Sequence, residues 1–451
     1  MRIALGIPMS LSKISEYANA TLIQSKDEII THISTDTREL KNGDLFIAIK
    51  GQKYSGEDFL YDAKKLGAYT LATGKDADVI CTDGNTALLN LASKYAQNLP
   101  NILYRIAITG SVGKTTTKEF AAILLSTEYK VHRNKGNYNN EIGMPMSILL
   151  AKENTEILLM EMGMNHRGEI SRLSRCLKPN IGLITNIGTA HIGNLGSREE
   201  IAAAKLEIKD GMDNGCLILP YGEPLLYGAQ SSCHFSCTDT RAEIYLERRD
   251  DGRVAIYRNH SLMCTSRFAP LEKQYEQCLI AAVAVSIAAG VSPCGISQGI
   301  SQISTNNIRQ TTIMRNGVHF YLDCYNASYE SVIACIKHAE AAKLSGQKHM
   351  LIGDILELGD MSEEIHYKIG SNISKDVFAC LFLLGRYARH IAAGAVDSGF
   401  PSARIFINDD STAPQKTADQ LHLHCSDGDT VFMKASRLIR LERVVELFYE
   451  E

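Results

Sequence analysis

The sequence predicts an α/β protein of three domains, the central one built on a doubly wound parallel sheet. Its 451 residues correspond to about three domains of roughly 150 residues each. From about residue 101 onward, short apolar segments alternate with helical segments, which is typical of parallel sheets covered by helices. Turn-forming residues at 98–101 separate these segments from a first unit. We therefore expect domains at residues 1–100, 101–310 and 311–451.

Composition disfavours several classes of protein. Hydrophobic residues make up 45% of the chain and charged residues 22%, with a formal net charge of −4. This balance implies no strongly basic face, so we expect no nucleic acid as partner. No apolar run approaches the roughly 18 residues of a membrane helix, and the first residues are too weakly apolar for a signal peptide. The 12 cysteines include no C-x-x-C pair, which indicates reduced thiols in a cytoplasmic protein and disfavours zinc.

Apolar segments predict the strands of all three units. In the first unit, “LFIAI” predicts a strand and “FLYDAKKLGA” a helix that ends near Gly67. Four segments predict the parallel strands of the central unit: “RIAIT”, “EILLMEM”, “IGLITNI” and “CLILP”. Five more predict a smaller, Rossmann-like α/β domain at the C-terminal end: “HFYLD”, “KHMLIGD”, “CLFLLG”, “RIFIN” and “TVFMK”.

The stretch “AITGSVGKTTTKE” at 107–119 predicts a phosphate-binding loop. The common motif is G-x-x-x-x-G-K-[ST], but Ile108 stands where its first glycine would be, so the loop is a shorter G-x-x-G-K-T. A strand precedes it and a helix follows, so backbone N–H groups would point at an anion. Lys114 would reach the β- and γ-phosphates, and Thr115 would offer its hydroxyl to Mg²⁺. The alternative is a glycine turn before an ordinary helix. The expected nucleotide contacts are Gly110, Ser111, Val112, Gly113, Lys114, Thr115 and Thr116.

Polar residues follow two further strands of the central unit. Glu161 follows “ILLM”, and His191 comes just after “IGLITNI”. Open α/β sheets bind ligands where their strands end, and a carboxylate near a phosphate-binding loop is a natural Mg²⁺ ligand. The alternatives are a capping role for Glu161 and a structural role for His191.

Lys205 is predicted on the core-facing side of a helix. Ser197 and Glu200 have the spacing of a capping box, so a helix begins there. The lysine shares one helical face with apolar residues at i−4, i−1 and i+3: Ile201, Ala204 and Ile208. Either its ammonium snorkels to solvent, or it points into the active site in a chemically altered form, because a buried ammonium is costly.

The stretch “NKGNYNNEIGMP” at 134–145 is dense in asparagine and glycine after a short strand. GTPases use an N-K-x-D element to recognise their base, and Asn137 stands here where the aspartate would be. The stretch therefore disfavours a GTPase. Its alternatives are a functional loop near the active site and an ordinary surface loop.

Together these stretches resemble the Mur ligase family of peptidoglycan synthesis. The matching segments are “GSVGKTTTKE”, “GNYNNEIGMP”, “EMGMNHRGEI”, “TNIGTAHIGNLGSREEIAAAKLEI” and “GDILELGDMSEEIH”. “STDTR…GDLFIAIKG” resembles the UDP-sugar-binding domain of that family, and the resemblance covers nearly the full chain. It implies a UDP-sugar-binding domain at 1–100, an ATP-binding domain at 101–310 and a ligase domain at 311–451 that closes over the nucleotide.

Within the family, the chain most resembles the members that join D-alanyl-D-alanine to a UDP-linked muramoyl tripeptide. The resemblance implies an ATP-dependent amide-bond ligase that acts through an acyl phosphate and uses ATP and Mg²⁺ with small-molecule substrates. We expect a monomer. The alternatives are a sister ligase for another amino acid or for folate, and a paralogue that binds nucleotide and UDP-sugar without turnover.

The resemblance also implies roles for single residues. The catalytic residues would be Lys114, His191 and Lys205. The Mg²⁺ ligands would be Thr115, Glu161, His191 and Lys205, the last of them carbamylated. Nucleotide contacts from the domain junction would come from Arg309 and Asp323. Substrate contacts would come from Asp36, Arg38, Asn139, Asn140 and Asn326.

Several positions depart from the family pattern. Gln274 and Cys278 stand where the family has H-x-x-x-N near the adenine, and “LDCYNASYE” lacks the first aspartate and the proline of D-D-S-Y-N-A-N-P. “SGED” replaces a D-G-H element, and Ala435 replaces the glycine of K-G-S-R. If that glycine needs a positive φ, Ala435 costs roughly 1 kcal/mol or forces a different turn.

Overall fold

The computed structural model describes residues 1–23, 26–51, 54–269, 273–304, 311–324, 326–410 and 412–448. Three sheets follow one another along the chain, and helices pack against each of them. The predicted α/β class with three domains is confirmed. Among the described residues, no helix is both long and apolar enough to cross a membrane. All 12 cysteines are free thiols, as their spacing predicts.

The first sheet has six strands, which are parallel in the middle and antiparallel at both edges. Its strands are β1 (Arg2–Ser10), β2 (Thr21–Leu22), β3 (Ile29–Ser34), β4 (Leu45–Ile47), β5 (Tyr69–Ala72) and β6 (Val79–Ile80). They lie in the order β1-β3-β4-β5-β6-β2. The helices are α1 (Leu11–Ala18), α2 (Leu60–Lys65) and α3 (Gly84–Gln97). The strand predicted from “LFIAI” is β4, and the helix predicted before Gly67 is α2.

The central sheet has nine strands. These are β7 (Tyr104–Thr109), β8 (Val131–Arg133), β9 (Ile157–Glu161), β10 (Ile181–Ile184), β11 (Cys216–Pro220), β12 (Cys233–Ser236), β13 (Ile244–Arg248), β14 (Arg253–Arg258) and β15 (Ser261–Arg267). Their order is β15-β14-β13-β12-β11-β10-β7-β9-β8, parallel from β8 to β13 and antiparallel beyond. The helices are α4 (Lys114–Leu125), α5 (Gly143–Ile148), α6 (Glu169–Leu177), α7 (Ile192–Leu195), α8 (Arg198–Leu206), α9 (Lys273–Ala288) and α10 (Pro293–Gln302). The four predicted strands are confirmed as β7, β9, β10 and β11.

The third sheet has six strands where the sequence predicts five. They are β16 (Thr311–Arg315), β17 (Val318–Asp323), β18 (Lys348–Gly353), β19 (Phe378–Leu384), β20 (Ile405–Asn408) and β21 (Thr430–Lys434), in the order β16-β17-β21-β18-β19-β20. The helices are α11 (Tyr329–Ala341), α12 (Ser362–Gly370), α13 (Ala388–Asp397), α14 (Ala413–His424) and α15 (Glu442–Leu447). The additional strand is β16, which forms a hairpin with β17 through Asn316 and Gly317, both at positive φ.

Close contacts join the first domain to the loop that follows α5 in the central domain. The N–H of Gly6 in β1 donates to Leu149 O at 2.9 Å, and the Tyr95 hydroxyl donates to Ala151 O at 2.6 Å. A Cβ on Gly6 would lie 1.8 Å from Ala151 O, so β1 has room only for glycine at this position. The first domain is therefore packed directly against the loop that follows α5.

His366 lies in the core of the C-terminal domain as a neutral imidazole. Its Nδ1–H donates to Ser362 O at 2.6 Å, and its Nε2 accepts the N–H of Ile355 at 3.0 Å. A proton on Nε2 would face that N–H. Burial lowers the pKa of His366 from its ordinary value, although the hydrogen bond to Ser362 opposes the shift.

We expect acidification to destabilise the folded chain through His366. The unfolded chain binds a proton at the ordinary histidine pKa of about 6.5, whereas the folded chain binds it only at lower pH. Stability should therefore decrease as the pH falls below about 6.5. The midpoint of urea unfolding, followed by circular dichroism at pH 7.5 and 5.5, should fall less in His366→Gln than in the unmodified chain. Equal decreases in both proteins would contradict this account.

Candidate active site

The phosphate-binding loop after β7 packs tightly against the loop that follows β10. A Cβ on Gly110 would lie 1.9 Å from Thr185 Oγ1, so only glycine fits at this position. The Val112 N–H donates to Asn186 Oδ1 at 2.9 Å, and Asn186 Nδ2 donates to Val112 O at 2.9 Å. Gly113 has a φ of +80° and precedes the first residue of α4. The short loop is thus held by the neighbouring strand end rather than by a longer glycine-rich segment of its own.

Lys114 lies at the start of α4, with its ammonium folded over the loop. Its Nζ donates to Gly110 O at 2.7 Å and to Ser111 O at 3.3 Å. Thr115 and Thr116 follow in the first turn of the same helix. A helix N-terminus and an ammonium are therefore placed where an anion would be bound. The predicted order of strand, loop and helix at residues 107–119 is confirmed, and the nucleotide contacts stay predictions.

Glu161 ends β9 and is buried beside the loop. Its Oε2 accepts a hydrogen bond from Thr115 Oγ1 at 2.6 Å, and its Oε1 accepts one from Asn139 Nδ2 at 2.8 Å. The Asn134 side chain bonds the backbone of Glu161 on both sides, at 2.9 Å to its N–H and 2.9 Å to its carbonyl. The structure therefore brings the predicted Thr115 and Glu161 into direct contact, and it adds Asn139 from the asparagine-rich loop.

Thr115, Asn139 and Glu161 form a cluster to which Lys118 also belongs. Lys118 is not among the predicted site residues. It is fully buried, and its Nζ donates to Asn134 O at 2.7 Å. The ammonium lies 3.3 Å from Glu119 Oε1 and 3.7 Å from Glu161 Oε2. Lys118 shares a helical face with three buried apolar residues, Ala121, Ala122 and Leu125. The helical periodicity that indicates Lys205 therefore also indicates Lys118.

Lys205 is buried, with 1% of its surface exposed, so the snorkelling alternative is wrong. Burial lowers its pKa well below the ordinary lysine value, and the nearby charge of Lys114 lowers it further. Its apolar neighbours on the helical face are buried as predicted: Ile201, Ala204 and Ile208. The structure therefore favours a neutral amine at position 205, because both burial and the charge of Lys114 disfavour an ammonium there.

The helix that carries Lys205 begins where the sequence predicts, but its cap is only half a capping box. Ser197 Oγ accepts the N–H of Glu200 at 3.2 Å. The Glu200 carboxylate does not complete the box, because it accepts a hydrogen bond from Arg167 Nη1 at 2.8 Å. The competing partner is a cation, which forms a stronger bond with a carboxylate than a backbone N–H does.

His191 lies at the junction with the C-terminal domain. It has a φ of +64°, and its Nδ1 lies 2.5 Å from Glu357 Oε2. The hydrogen bond with His191 holds the pKa of Glu357 below its ordinary value, against the effect of burial. The N–H of Gly193 donates to Glu357 O at 3.0 Å. Glu357 stands within the quoted “GDILELGDMSEEIH”, but its contact with His191 is not evident from the sequence.

Asp323, expected at the domain junction, and the positions that depart from the family pattern have different surroundings. Asp323 forms an ion pair of 2.8 Å with Lys434, its neighbour in the adjacent parallel strand β21. Cys278 packs beneath the phosphate-binding loop, where a Cβ on Gly113 would lie 3.0 Å from its Sγ. Ala435 is buried at a negative φ, so its replacement of a glycine brings no backbone strain. Arg309 and the side chain of Gln274 lie outside the described part of the chain.

The remaining predicted substrate residues form hydrogen bonds with near neighbours in the sequence. Asp36 accepts hydrogen bonds from Arg38 Nε at 2.9 Å and Nη2 at 2.6 Å, which hold the pKa of Asp36 at about 2. Asn140 Oδ1 accepts the N–H of Gly143 at 2.8 Å. Asn326 Oδ1 accepts the N–H of Ala327 at 2.9 Å. Of the predicted substrate residues, the structure therefore joins only Asn139 to the Glu161 cluster by a hydrogen bond among the described residues.

The donor set at the loop fits a hard divalent cation. Thr115 and Glu161 offer a hydroxyl and a carboxylate, and Mg²⁺ takes such oxygens while it keeps several waters and binds substrate phosphates. Within the described ranges, no three histidine, cysteine, aspartate or glutamate side chains converge on one metal position.

The fold and the site together define a P-loop α/β protein of three domains. The chain belongs to the Mur ligase family. Family models match all three units: “Mur ligase family, catalytic domain” at 29–106, “Mur ligase middle domain” at 108–257 and “Mur ligase, glutamate ligase domain” at 308–437.

Relatives match from end to end. The UDP-N-acetylmuramoyl-tripeptide–D-alanyl-D-alanine ligase of Bacillus subtilis (strain 168) is 35% identical over 98% of both chains. The ligase of the same name from Synechocystis is 29% identical, also over 98% of both chains. Among solved structures, MurF from Acinetobacter baumannii has a TM-score of 0.88 at 25% identity and covers 99% of this chain and 100% of its own. MurF from Thermotoga maritima in complex with ADP has a TM-score of 0.79 at 27% identity, over 92% of this chain and 96% of its own.

The close contact at Gly110 makes a testable prediction. Gly110→Ala should weaken ADP binding, measured by calorimetry, by about tenfold or more, because a Cβ at 1.9 Å from Thr185 Oγ1 forces the loop away from β10. Gly136→Ala is the matched control, because Gly136 also has a positive φ but no atom would lie within 4 Å of its Cβ. Equal ADP affinities in the two folded variants would contradict the proposed importance of this contact.

Proposed function

We propose that this chain is an ATP-dependent ligase that joins UDP-N-acetylmuramoyl-tripeptide to D-alanyl-D-alanine through an amide bond, in the synthesis of peptidoglycan precursors. The observation that carries the proposal is the contact of a buried Glu161 with the phosphate-binding loop, in a chain that matches ligases of this name from end to end. The proposal assigns UDP-sugar binding to residues 1–100, ATP binding to 101–310 and domain closure to 311–451.

The loop and its neighbours would bind and orient the triphosphate. Backbone N–H groups at the start of α4 and the Lys114 ammonium would hold the phosphates. Thr115, Glu161 and His191 would hold Mg²⁺, which neutralises negative charge on the phosphates when it is bound. Arg309 and Asp323 would contact the nucleotide from the domain junction. Positioning and electrostatic stabilisation would supply most of the rate enhancement, because phosphoryl transfer needs little covalent help from a protein.

The reaction would proceed in two displacements. A carboxylate oxygen of the tripeptide attacks the γ-phosphorus, the bond to the ADP oxygen breaks, and an acyl phosphate forms. The amine of D-alanyl-D-alanine then attacks the acyl carbon, loses a proton, and releases inorganic phosphate. Asn139 lies beside Glu161, where it could orient the substrate carboxylate, whereas Asp36 and Arg38 would bind on the uridine side, and Asn140 and Asn326 would complete the substrate contacts. Exclusion of water by the C-terminal domain protects the acyl phosphate from hydrolysis.

Lys205 would act as a carbamate. Its lowered pKa favours the neutral amine, which can attack CO₂ with loss of a proton to give two hard oxygen donors. Lys114 would repel an ammonium at position 205. A carbamate carries the opposite charge, so this repulsion would be removed. Such a side chain would complete the Mg²⁺ ligands begun by Glu161 and His191. The monomeric state and the cytoplasmic location stay predictions.

Lys114→Ala tests the assignment of ATP chemistry to the central domain. The protein, ATP, UDP-N-acetylmuramoyl-tripeptide and D-alanyl-D-alanine are incubated together, and phosphate and amide product are measured. The variant should lose about a hundredfold or more in turnover, because it lacks the charge that faces the phosphates. Its affinity for the UDP-linked tripeptide, measured by calorimetry, should stay near that of the unmodified chain. Lys130→Ala, an exposed lysine of the same domain, is the control. Equal losses of turnover and substrate binding would contradict the domain assignment.

Lys205→Ala tests the carbamate. The variant should fold but turn over very slowly, and acetate or another small carboxylate should partly restore its activity by replacing the lost oxygens. Lys205→Arg should stay inactive, since it keeps a positive charge. Lys209→Ala, an exposed position one turn further along the chain, should behave like the unmodified protein. Full activity of Lys205→Ala without added carboxylate would refute the role.

A further inference from the structure

Glu330 connects the C-terminal domain to the central domain through both of its carboxylate oxygens. It lies in the first turn of α11, and the Thr189 N–H donates to its Oε1 at 2.7 Å. The Thr189 hydroxyl donates to its Oε2 at 3.2 Å. A Cβ on Gly188 would lie 2.8 Å from Glu330 Cδ. The carboxylate therefore packs directly against Gly188, where a larger residue would clash with it. Thr189 of the central domain therefore donates a hydrogen bond to each carboxylate oxygen of Glu330 in the C-terminal domain.

Thr189 belongs to a segment, residues 185–191, that we call the β10 loop because it directly follows β10. This loop binds the phosphate-binding loop at several points. The Gly188 N–H donates to Ser111 Oγ at 2.9 Å, and Thr185 Oγ1 donates to Val112 O at 2.7 Å. A short chain of contacts therefore runs from Glu330 through Thr189 and Gly188 to Ser111.

The β10 loop also ends in His191, which Glu357 of the C-terminal domain contacts directly. The two domains thus meet at both Thr189 and His191. Glu330 differs from Glu357 because, among the described residues, it makes no hydrogen bond to a residue to which the proposed function gives a catalytic or metal-binding role. The hydrogen-bond partner that the described part of the chain gives Glu330 lies on the β10 loop, so we expect its effect on the reaction to pass through that loop.

We propose that Glu330 is a positioning residue that couples closure of the C-terminal domain to the geometry of the phosphate-binding loop. When the domains are together, its carboxylate accepts hydrogen bonds from the N–H and the hydroxyl of Thr189. These bonds fix the β10 loop against Ser111 and Val112. When they separate, both hydrogen bonds are lost. The inference rests on the proposed function, because a phosphate-binding loop that is fixed only after closure would form the acyl phosphate only where water is excluded.

The coupling between phosphate release and amide formation tests this role. Loss of a charge-assisted hydrogen bond shifts an equilibrium by about tenfold or more. Glu330→Ala should therefore form acyl phosphate about tenfold more slowly than the unmodified chain, and a larger fraction of its phosphate should be released without amide, because the domains close less completely over the loop. Glu330→Gln should lie between the two, because its amide oxygen can still accept the Thr189 N–H. Glu340→Ala, at the far end of the same helix, should stay coupled.

Small-angle X-ray scattering gives a readout that does not depend on turnover. With ADP bound, the unmodified chain and Glu340→Ala should have a smaller radius of gyration than Glu330→Ala, and all three should have the same melting temperature without nucleotide. If the unmodified chain forms no amide, the proposed function fails, but the scattering comparison still decides whether Glu330 supports closure. Coupled turnover and an unchanged radius of gyration in Glu330→Ala or Glu330→Gln would overturn the inference. So would a failure of both variants to fold, since that would make Glu330 a residue of general stability.

Discussion

Buried positive charge beside the phosphate-binding loop is the constraint on which the central domain depends. Lys118 is fully buried and Lys205 is 1% exposed, whereas Lys114 folds its ammonium over the loop itself. Lys118 is compensated by the carboxylates of Glu119 and Glu161. Among the described residues Lys205 forms no such ion pair; burial lowers its pKa, and the neighbouring charge of Lys114 lowers it further. An uncompensated buried charge is costly, so the site favours a neutral or modified Lys205 and an anionic ligand over Lys114.

The parallel sheet explains how distant parts of the sequence meet at this site. β7, β9 and β10 are neighbours, so their carboxyl ends place the phosphate-binding loop, Glu161 and the β10 loop at one edge. The fit is close enough to exclude a methyl group at Gly110. The C-terminal domain reaches the same edge through Glu330 and Glu357, while the first domain is packed against the loop after α5 through Gly6. Movement of the C-terminal domain would therefore change the packing of the phosphate-binding loop.

Local patterns in the sequence were sufficient for much of the fold and for part of the site. Continuous apolar runs predict β7, β9, β10 and β11, because strands buried on both faces need apolar side chains throughout. The strands β13 to β15 are not predicted, since their charged residues interrupt such runs. The β16 hairpin is different, because Asn316 and Gly317 carry a strong turn signal that the strand analysis does not use. Helical periodicity finds Lys205 and would find Lys118 by the same rule.

Contacts between domains are the part that the sequence does not reveal. Glu330 and Glu357 look like ordinary helix-start and loop carboxylates, and only the folded chain shows their partners, Thr189 and His191. The capping box at Ser197 fails for a related reason, because Arg167 competes for Glu200 from another part of the chain. Periodicity and capping rules describe neighbours along one element, whereas these partners are fixed by packing.

The central claim is that the loop at Gly110 directs ATP to the carboxylate of a UDP-linked tripeptide. It is tested most directly by labelling that carboxylate with ¹⁸O and analysing the released phosphate by mass spectrometry after turnover with ATP and D-alanyl-D-alanine. Transfer through an acyl phosphate predicts one ¹⁸O atom in each phosphate, because the oxygen that attacks the γ-phosphorus leaves with it. Phosphate without label, released together with amide product, would contradict the account.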